Sequence, residues 1–449
     1  MTDVRPEDAI GSCPTVFGRP EPEVGSYFVS TYPPFSCWTP AAEAHVRRWL
    51  DRPPAGVTPP LGLYAHIPFC VERCQYCYYL SHEDRFGEVD AYLEAMAGEL
   101  ALYTRAPALA GRPLDFVYLG GGTPSILSMP RLRSLMAGLQ RHADWTRARE
   151  VTFECAPRSV TEDKMRLLRD SGVTRISVGV QQLDDRVLEM NGRVHLVADV
   201  DRAYEAIRRV DFHVVNLDLI VGLVGETASS FFGSLDRIIG LQPESVTIYQ
   251  LEIPLNTPLY KAMEAGRCCA QPASWDVKHA RLNAAMSRLE GAGYSVRSGY
   301  TAVRDPDRHQ FLYQDEQYGG ADLLGIGASA FSHLGGINQQ NLAALRPYVD
   351  ARARGELPLW RAYALNDRER MVREFVLQLK VGRVSRDAFR AKFGVDVLES
   401  FAEPLAAAQR FGWLEATAEG VVVTRDGLVR VDRLIPAFYL AEHQAVRYS

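Results

Sequence analysis

The stretch Leu61-Gly-Leu-Tyr-Ala-His-Ile-Pro-Phe-Cys70-Val-Glu-Arg-Cys74-Gln-Tyr-Cys77 decides how this chain is read. Its first seven residues form a short apolar run, closed by Pro68, and read as a buried strand. A cysteine triplet with the spacing C-x3-C-x2-C follows at the strand's carboxyl end. Three thiolates this close in a loop can wrap one face of a small metal centre. Iron–sulfur clusters are held by thiolates, usually four. Three leave one iron open to a further ligand, which is what a reactive metal site needs. A zinc ion completed by His66 or His82 is an alternative reading, and chance clustering of buried cysteines is another.

Outward from this segment the chain alternates. Apolar runs at 61–67, 115–119, 150–154, 175–180, 213–220 and 245–251 read as strands. Amphipathic segments at 90–103, 130–142, 161–171, 197–209, 229–241 and 273–292 read as helices. Strand–helix alternation implies a parallel sheet with crossover helices. The expected fold class is therefore α/β, an incomplete (β/α)6 TIM-like barrel, two units short of the full eight. A flat doubly wound sheet is the alternative.

Residues 1–60 are rich in proline, with a helix expected only at 41–50, and read as an N-terminal extension. Its aromatic residues Tyr27, Phe28, Tyr32, Phe35 and Trp38 are expected to pack against a later domain. The partial barrel is expected over 61–335, including a glycine-rich strand-like stretch at 322–332. Residues 336–449 read as a mostly helical, winged-helix-like C-terminal domain, with helices at 367–379, 385–393 and 397–411 and a hairpin at 412–424. The third helix carries Glu399, Glu403 and Arg410 and is not basic, so no nucleic-acid partner is expected.

Composition narrows the class further. Of 449 residues, 47% are hydrophobic and 23% charged, which excludes wholesale disorder. Lys and Arg total 50 against 55 Asp and Glu, so no basic excess argues for nucleic acid. The longest apolar stretch, 214–225, is interrupted by Asn216 and Asp218 and is too short for a bilayer. Residues 1–10 show no leader-like apolar core. A cytoplasmic monomer with no membrane partner is expected. Outside the triplet, Cys13, Cys37, Cys155, Cys268 and Cys269 read as small buried apolar groups.

Five ordered motifs sharpen the picture: Tyr64-Ala-His-Ile-Pro-Phe-Cys70, Gly120-Gly-Gly-Thr-Pro-Ser125, Ser177-Val-Gly-Val-Gln181, Asn191-Gly-Arg-Val-His195 and Asn216-Leu-Asp-Leu-Ile-Val-Gly222. Together with the triplet they resemble the radical S-adenosylmethionine (SAM) superfamily and, within it, the oxygen-independent coproporphyrinogen III oxidase-like (HemN-like) family. The resemblance implies a 4Fe–4S cluster on Cys70, Cys74 and Cys77, two molecules of SAM, and an electron donor such as flavodoxin or ferredoxin. It implies that Tyr76 packs near the adenine and that Gly121, Gly122 and Thr123 hold the methionine end. Glu154, Gln181 and Asp218 become SAM contacts, Arg193 pairs a carboxylate, and Tyr64 completes the site. A second SAM is expected near Gln250–Glu252 and Gly325–Ala328. The ordinary alternatives are a core tyrosine at 76, a turn at the glycines, and an internal hydrogen-bond network among the polar strand residues.

Two departures steer the functional expectation. Tyr79 stands where the oxidases carry a fourth cysteine. The segment Gly336-Ile-Asn-Gln-Gln-Asn-Leu lacks the aromatic–Asn pattern of the haem-chaperone branch. By resemblance the remaining branch is the class C radical SAM methyltransferases and cyclopropanases. The chain is thus expected to transfer a methyl or methylene group to an sp2 carbon of an aromatic or alkene natural-product intermediate, with a partner methyltransferase assisting; an oxygen-independent coproporphyrinogen III oxidase-like porphyrin enzyme or a haem chaperone is the alternative. His66, Tyr79 and Glu252 are the candidates for a late proton transfer.

Overall fold

The computed structural model describes residue 17 and residues 28–83, 85–268 and 271–444. The expectations for Cys13, Cys269, Tyr27, Pro14, Pro20 and Pro22 lie outside the described residues. Strands β1 (Leu61–Ile67), β2 (Phe116–Gly121), β3 (Glu150–Cys155), β4 (Arg175–Gln181), β5 (Val214–Val221) and β6 (Ser245–Gln250) pair in parallel, each with the next in chain order. The helices Val89–Arg105, Met129–Gln140, Glu162–Asp170, Val197–Arg208 and Ala228–Leu241 connect them, and Trp275–Gly291 follows β6. A doubly wound sheet reverses strand order at its centre. This order never reverses, so the fold is barrel-like.

The sheet is larger than the six strand–helix units and one further strand-like stretch expected. It has twelve, in the order β12-β11-β10-β9-β1-β2-β3-β4-β5-β6-β8-β7. The short strands β7 (Ser295–Val296) and β8 (Thr301–Val303) extend the β6 edge antiparallel. On the other edge β9 (Asp322–Ile326) lies parallel to β1, followed by antiparallel β10 (Phe331–Leu334), β11 (Ile337–Asn341) and β12 (Leu359–Ala364). The stretch expected as one strand at 322–332 is thus two strands. The chain reverses between them with Gly327 at φ 99° and Ser329 at φ 62°.

Strand β11 was invisible to hydrophobic periodicity because it reads Ile-Asn-Gln-Gln-Asn. Its amides are buried and bonded: Asn338 Nδ2 donates to Tyr32 O (3.0 Å), Gln339 Nε2 to Tyr103 Oη (2.8 Å) and Asn341 Nδ2 to Glu99 Oε1 (2.6 Å). Buried polar groups persist where each finds a partner. The expected boundary at residue 335 falls in the turn between β10 and β11, two paired strands of one sheet.

Beyond β12 the chain forms helices Asp367–Leu379 and Arg386–Phe393 and a three-stranded antiparallel sheet of β13 (Arg383–Ser385), β14 (Leu414–Thr417) and β15 (Gly420–Val423). The helix expected at 397–411 is broken into Val397–Ser400 and Ala402–Arg410. Phe401 sits at the break, where its ring stacks on Phe375 with centroids 3.8 Å apart. The helix expected at 41–50 is α-helical only over Glu43–Leu50, after a 3-10 turn at Pro40–Ala42. Of the extension, Val29 and Tyr32 are buried in the C-terminal core. Buried Lys380 anchors it, donating to Val29 O (2.6 Å) and Asp432 Oδ1 (2.8 Å). Cys155 is buried as expected, whereas Cys37 and Cys268 are half-buried.

Strand alternation positions the site. Leu63, Leu119, Phe153, Val178, Leu217 and Ile248 join the apolar core, which also holds Met96, Leu135, Met165, Ile207 and Leu235 of the connecting helices. The intervening residues Tyr64, Tyr118, Glu154, Ser177, Asp218 and Tyr249 line a cavity instead. Successive side chains of a strand point to opposite faces, so one pattern builds both the core and a polar interior. Among the described residues no helix is long and apolar enough to cross a membrane.

Candidate active site

Every residue expected to bind the cluster or the first SAM lines one cavity of about 1470 Å³. The cysteine loop enters it directly from β1. Cys70 N–H donates to His82 O (3.1 Å) and His82 N–H to Pro68 O (2.7 Å), which fixes where the loop leaves the strand. Gln75 N–H donates to Asn191 O (3.2 Å), and Leu259 N–H to Gln75 O (2.8 Å). The Arg73 guanidinium donates to Cys77 O at 2.7 and 3.2 Å. Three segments outside the loop, at residues 82, 191 and 259, therefore hold the triplet.

Burial foremost, then the charge of Cys74, pushes the Cys77 thiol up to about 11, and burial raises Cys70 as well. Three neighbouring thiolates repel one another, and a bound cationic centre removes that cost. Among the described residues no group of three or more His, Cys, Asp or Glu side chains is close enough together to hold a single metal ion.

The second strand opens the space beside Cys70. A Cβ on Gly122 would lie 2.7 Å from Phe69 O and 3.1 Å from Cys70 Sγ. Gly121, at φ 118°, would meet the His66 ring at 2.7 Å. Only glycine fits at both places. Thr123 Oγ1 lies 3.5 Å from Cys70 Sγ.

Across the cavity Glu154 Oε1 accepts from Tyr118 Oη (2.6 Å) and Oε2 from Gly121 N–H (3.0 Å). Burial raises its carboxyl above the usual range, against those two bonds. Asp218 accepts from Asn216 Nδ2 (2.7 Å) and Ser177 Oγ (3.2 Å). Burial first, and then the charge of Glu154, raises Asp218 to about 7. Gln181 reaches the site because the β4–β5 register shifts between Gly179 and Gln181, with Gln181 in the left-handed region at φ 66°.

Arg193 ties the two sides together. Its Nη1 donates to Cys74 Sγ (3.1 Å) and its Nη2 to Gly179 O (2.7 Å). His195, which the sequence reading left without a role, positions it. His195 Nε2–H donates to Val180 O (3.1 Å), so Nδ1 faces Arg193 Nη2 (3.3 Å) as acceptor. Burial, then the Arg193 charge, lowers His195 to about 3 and keeps it neutral. His66 is likewise occupied: Nε2–H donates to Leu80 O (3.3 Å) and Nδ1 accepts from Tyr64 Oη (3.0 Å). Burial lowers it to about 4, so it is a structural link rather than a proton carrier.

Among the buried polar atoms of this cavity without a hydrogen-bond partner are Tyr76 Oη, Gln181 Oε1 and Arg193 Nε. Such atoms are costly unless a ligand satisfies them. With the glycine cradle and the thiol triplet they fit a cluster and a polar cosubstrate beside it. The second region divides. Gln250, Leu251 and Glu252 line the cavity. Gly325–Ala328 does not line it: Gly327 N–H is bound by Glu99 (2.8 Å) and Ala328 N–H by Tyr92 Oη (2.8 Å), behind the wall.

This arrangement, a barrel-like sheet with a thiol triplet at the end of its first strand, defines a radical SAM protein. The Radical SAM superfamily model matches residues 64–238, and the HemN C-terminal domain model matches residues 365–430. Heme chaperone HemW of Bacillus subtilis is 29% identical over 385 residues, covering 84% of this chain and 98% of the relative. HemW of Escherichia coli is 32% identical over 281 residues, 61% of this chain and 70% of the relative. The solved structure of coproporphyrinogen III oxidase (HemN) from Escherichia coli superimposes with a TM-score of 0.79 at 27% identity, covering 92% of this chain and 96% of that one. The chain belongs to the HemN-like family of the radical SAM superfamily, whose cofactors are a 4Fe–4S cluster and SAM.

The same comparisons correct the expected chemistry. Relatives matching this chain almost end to end are haem chaperones and coproporphyrinogen oxidases. Methyl or methylene transfer to an aromatic or alkene natural product, and a partner methyltransferase with it, are overturned. The alternative, a porphyrin enzyme or a haem chaperone, fits these relatives better.

Proposed function

We propose that this protein is a radical SAM enzyme acting on a carboxylated tetrapyrrole, in the manner of an oxygen-independent coproporphyrinogen III oxidase. The observation that carries this reading is one continuous cavity of about 1470 Å³, lined by the three cysteines and by aromatic rings. Pockets for drug-sized ligands occupy roughly 300–1,000 Å³, so this volume suits SAM and a large flat substrate together. Tyr78 and Tyr79 stack at 4.7 Å, and Tyr118 and Tyr313 lie 4.5 Å apart, as surfaces for such a macrocycle.

Cys70, Cys74 and Cys77 would hold the cluster. When bound, cluster and SAM supply reductive cleavage of the sulfonium to an alkyl radical that takes a hydrogen atom from the substrate. Gly121 and Gly122 leave room for the cosubstrate beside Cys70, with Thr123 at the rim. Arg193 carries the positive charge next to Cys74 and offers Nε to a carboxylate. Glu154 and Asp218 accept from a cationic ligand, Gln181 and Tyr76 supply the unbonded oxygens, and Tyr64 holds His66. Gln250–Glu252, which line the same cavity, would take a second SAM. Loss of CO2 from a propionate side chain, with the remaining electron passing to an acceptor, yields a vinyl group.

The test is anaerobic reconstitution with SAM, dithionite and coproporphyrinogen III. 5′-Deoxyadenosine together with a vinyl product, lighter by CO2 and two hydrogens, supports the reading. Stoichiometric haem binding with no change to the porphyrinogen would instead make it a haem carrier.

A further inference from the structure

Two of the three cysteine sulfurs face a side-chain donor that comes from outside the cysteine loop. Arg193 Nη1 donates to Cys74 Sγ (3.1 Å). Thr123 Oγ1 stands 3.5 Å from Cys70 Sγ, and between a hydroxyl and a free thiol either atom can donate. A cysteine that ligates a metal has given up its S–H. With the cluster bound, the Thr123 hydroxyl is therefore the donor. Cys77 differs, because the Arg73 fork meets its carbonyl oxygen.

Both donors are fixed from behind. Arg193 Nη2 donates to Gly179 O (2.7 Å) and lies 3.3 Å from His195 Nδ1, so turning the guanidinium away from Cys74 would break bonds on its other side. Thr123 N–H donates to Phe69 O (2.8 Å), the carbonyl that leads into Cys70, which keeps the hydroxyl beside that sulfur. Reduction of a cluster adds negative charge that its thiolate sulfurs share. A donor aimed at such a sulfur bonds more strongly as the charge grows, so it favours the reduced form. Hydrogen bonds to the sulfurs and nearby charge are among the levers that set cluster potentials.

We infer that Thr123 and Arg193 raise the reduction potential of the cluster, through hydrogen bonds to the sulfurs of Cys70 and Cys74 that stabilise its reduced form. The two residues thereby ease the entry of the electron that cleavage of SAM consumes. This effect acts on the sulfurs and is present before SAM binds, so it is separate from any contact the same residues make with the cosubstrate. It holds for any substrate and does not depend on the tetrapyrrole reading.

The test is a redox titration of the anaerobically reconstituted protein, without SAM or substrate, followed by the electron paramagnetic resonance signal of the reduced cluster. Thr123→Val and Arg193→Gln are each expected to make the cluster about tenfold harder to reduce, the size of one hydrogen bond to a charged group. For one electron that is a midpoint lower by about 59 mV. Thr123→Ser keeps the hydroxyl and should titrate with wild type. Iron content equal to wild type would show that each variant carries its cluster. Resonance Raman spectra of the wild type in H2O and D2O give a second readout that needs no variant. Exchange of the O–H and N–H donors should shift the iron–thiolate stretching bands, and the shift should shrink in Thr123→Val and Arg193→Gln. Midpoints of both variants equal to wild type would overturn the inference, as would iron–thiolate bands that deuterium does not move.

Discussion

Arg193 donates to the Sγ of Cys74 across 3.1 Å, although the two lie 119 positions apart in the chain. The guanidinium is buried and also bonded to Gly179 O and beside His195. Arg193→Lys keeps the charge but loses the fork. Replacing charge-assisted bonds worth about 1.5–3 kcal/mol each should slow 5′-deoxyadenosine formation roughly ten- to hundredfold. Iron content should stay near wild type. Unchanged cleavage kinetics would show that Arg193 only fills space.

Any one of Cys70→Ala, Cys74→Ala or Cys77→Ala should remove the brown thiolate-to-iron absorbance near ~400 nm and abolish SAM cleavage. Cys155→Ala and Cys268→Ala should keep both, because neither residue stands with the triplet. Metal analysis of anaerobically reconstituted protein decides between these outcomes.

Glycine at 122 is a matter of space. Gly122→Ala would force a Cβ to within 2.9 Å of both Phe69 N and Phe69 O, which are backbone and cannot swing away. Overpacking of this kind costs about 1–3 kcal/mol and should lower Tm by several degrees. Gly138→Ala is the contrast. Its Cβ would sit 3.5 Å from Ala97 Cβ within the helix Met129–Gln140, and Tm should hold or rise. A thermal melt of both variants checks the pair.

Asp218 makes stability depend on pH. Its folded pKa is raised to about 7 by burial and by Glu154, so the folded state holds a proton that the unfolded chain releases near pH ~3.9. Its contribution to stability is therefore fully present below about pH 4 and declines as pH rises towards 7, where it levels off. Asp218→Asn should remove that slope. The cofactor-free variant should gain on wild type as pH increases from 4 to 7. Parallel denaturation curves for the two proteins across this range would refute the assignment.

Lys380 and Asp432 pair inside the C-terminal core, with Lys380 fully buried. Lys380→Met strands a carboxylate that also holds Val29 N–H. Breaking a buried pair from one side costs about 3–5 kcal/mol. The variant should melt well below wild type and release the segment around Val29 to limited proteolysis first.

The order of strands and crossover helices from 61 to 251, the position of the cysteine loop after β1, and the glycine loop after β2 were all legible in the sequence. They rest on local rules: hydrophobic period, cysteine spacing and the conformational freedom of glycine. Even the inward set was written there, since Tyr64, Glu154, Ser177 and Asp218 alternate with apolar neighbours. Tertiary structure alone decided the rest. Polar β11 became a buried strand only because Tyr32, Tyr103 and Glu99 arrived from distant segments to bond its amides. His195 took its role only once β4 placed Val180 O and Arg193 on either side of it. Local pattern reports what each residue does to its own backbone, whereas burial, charge balance and cavity shape are sums over segments that meet only in the folded molecule.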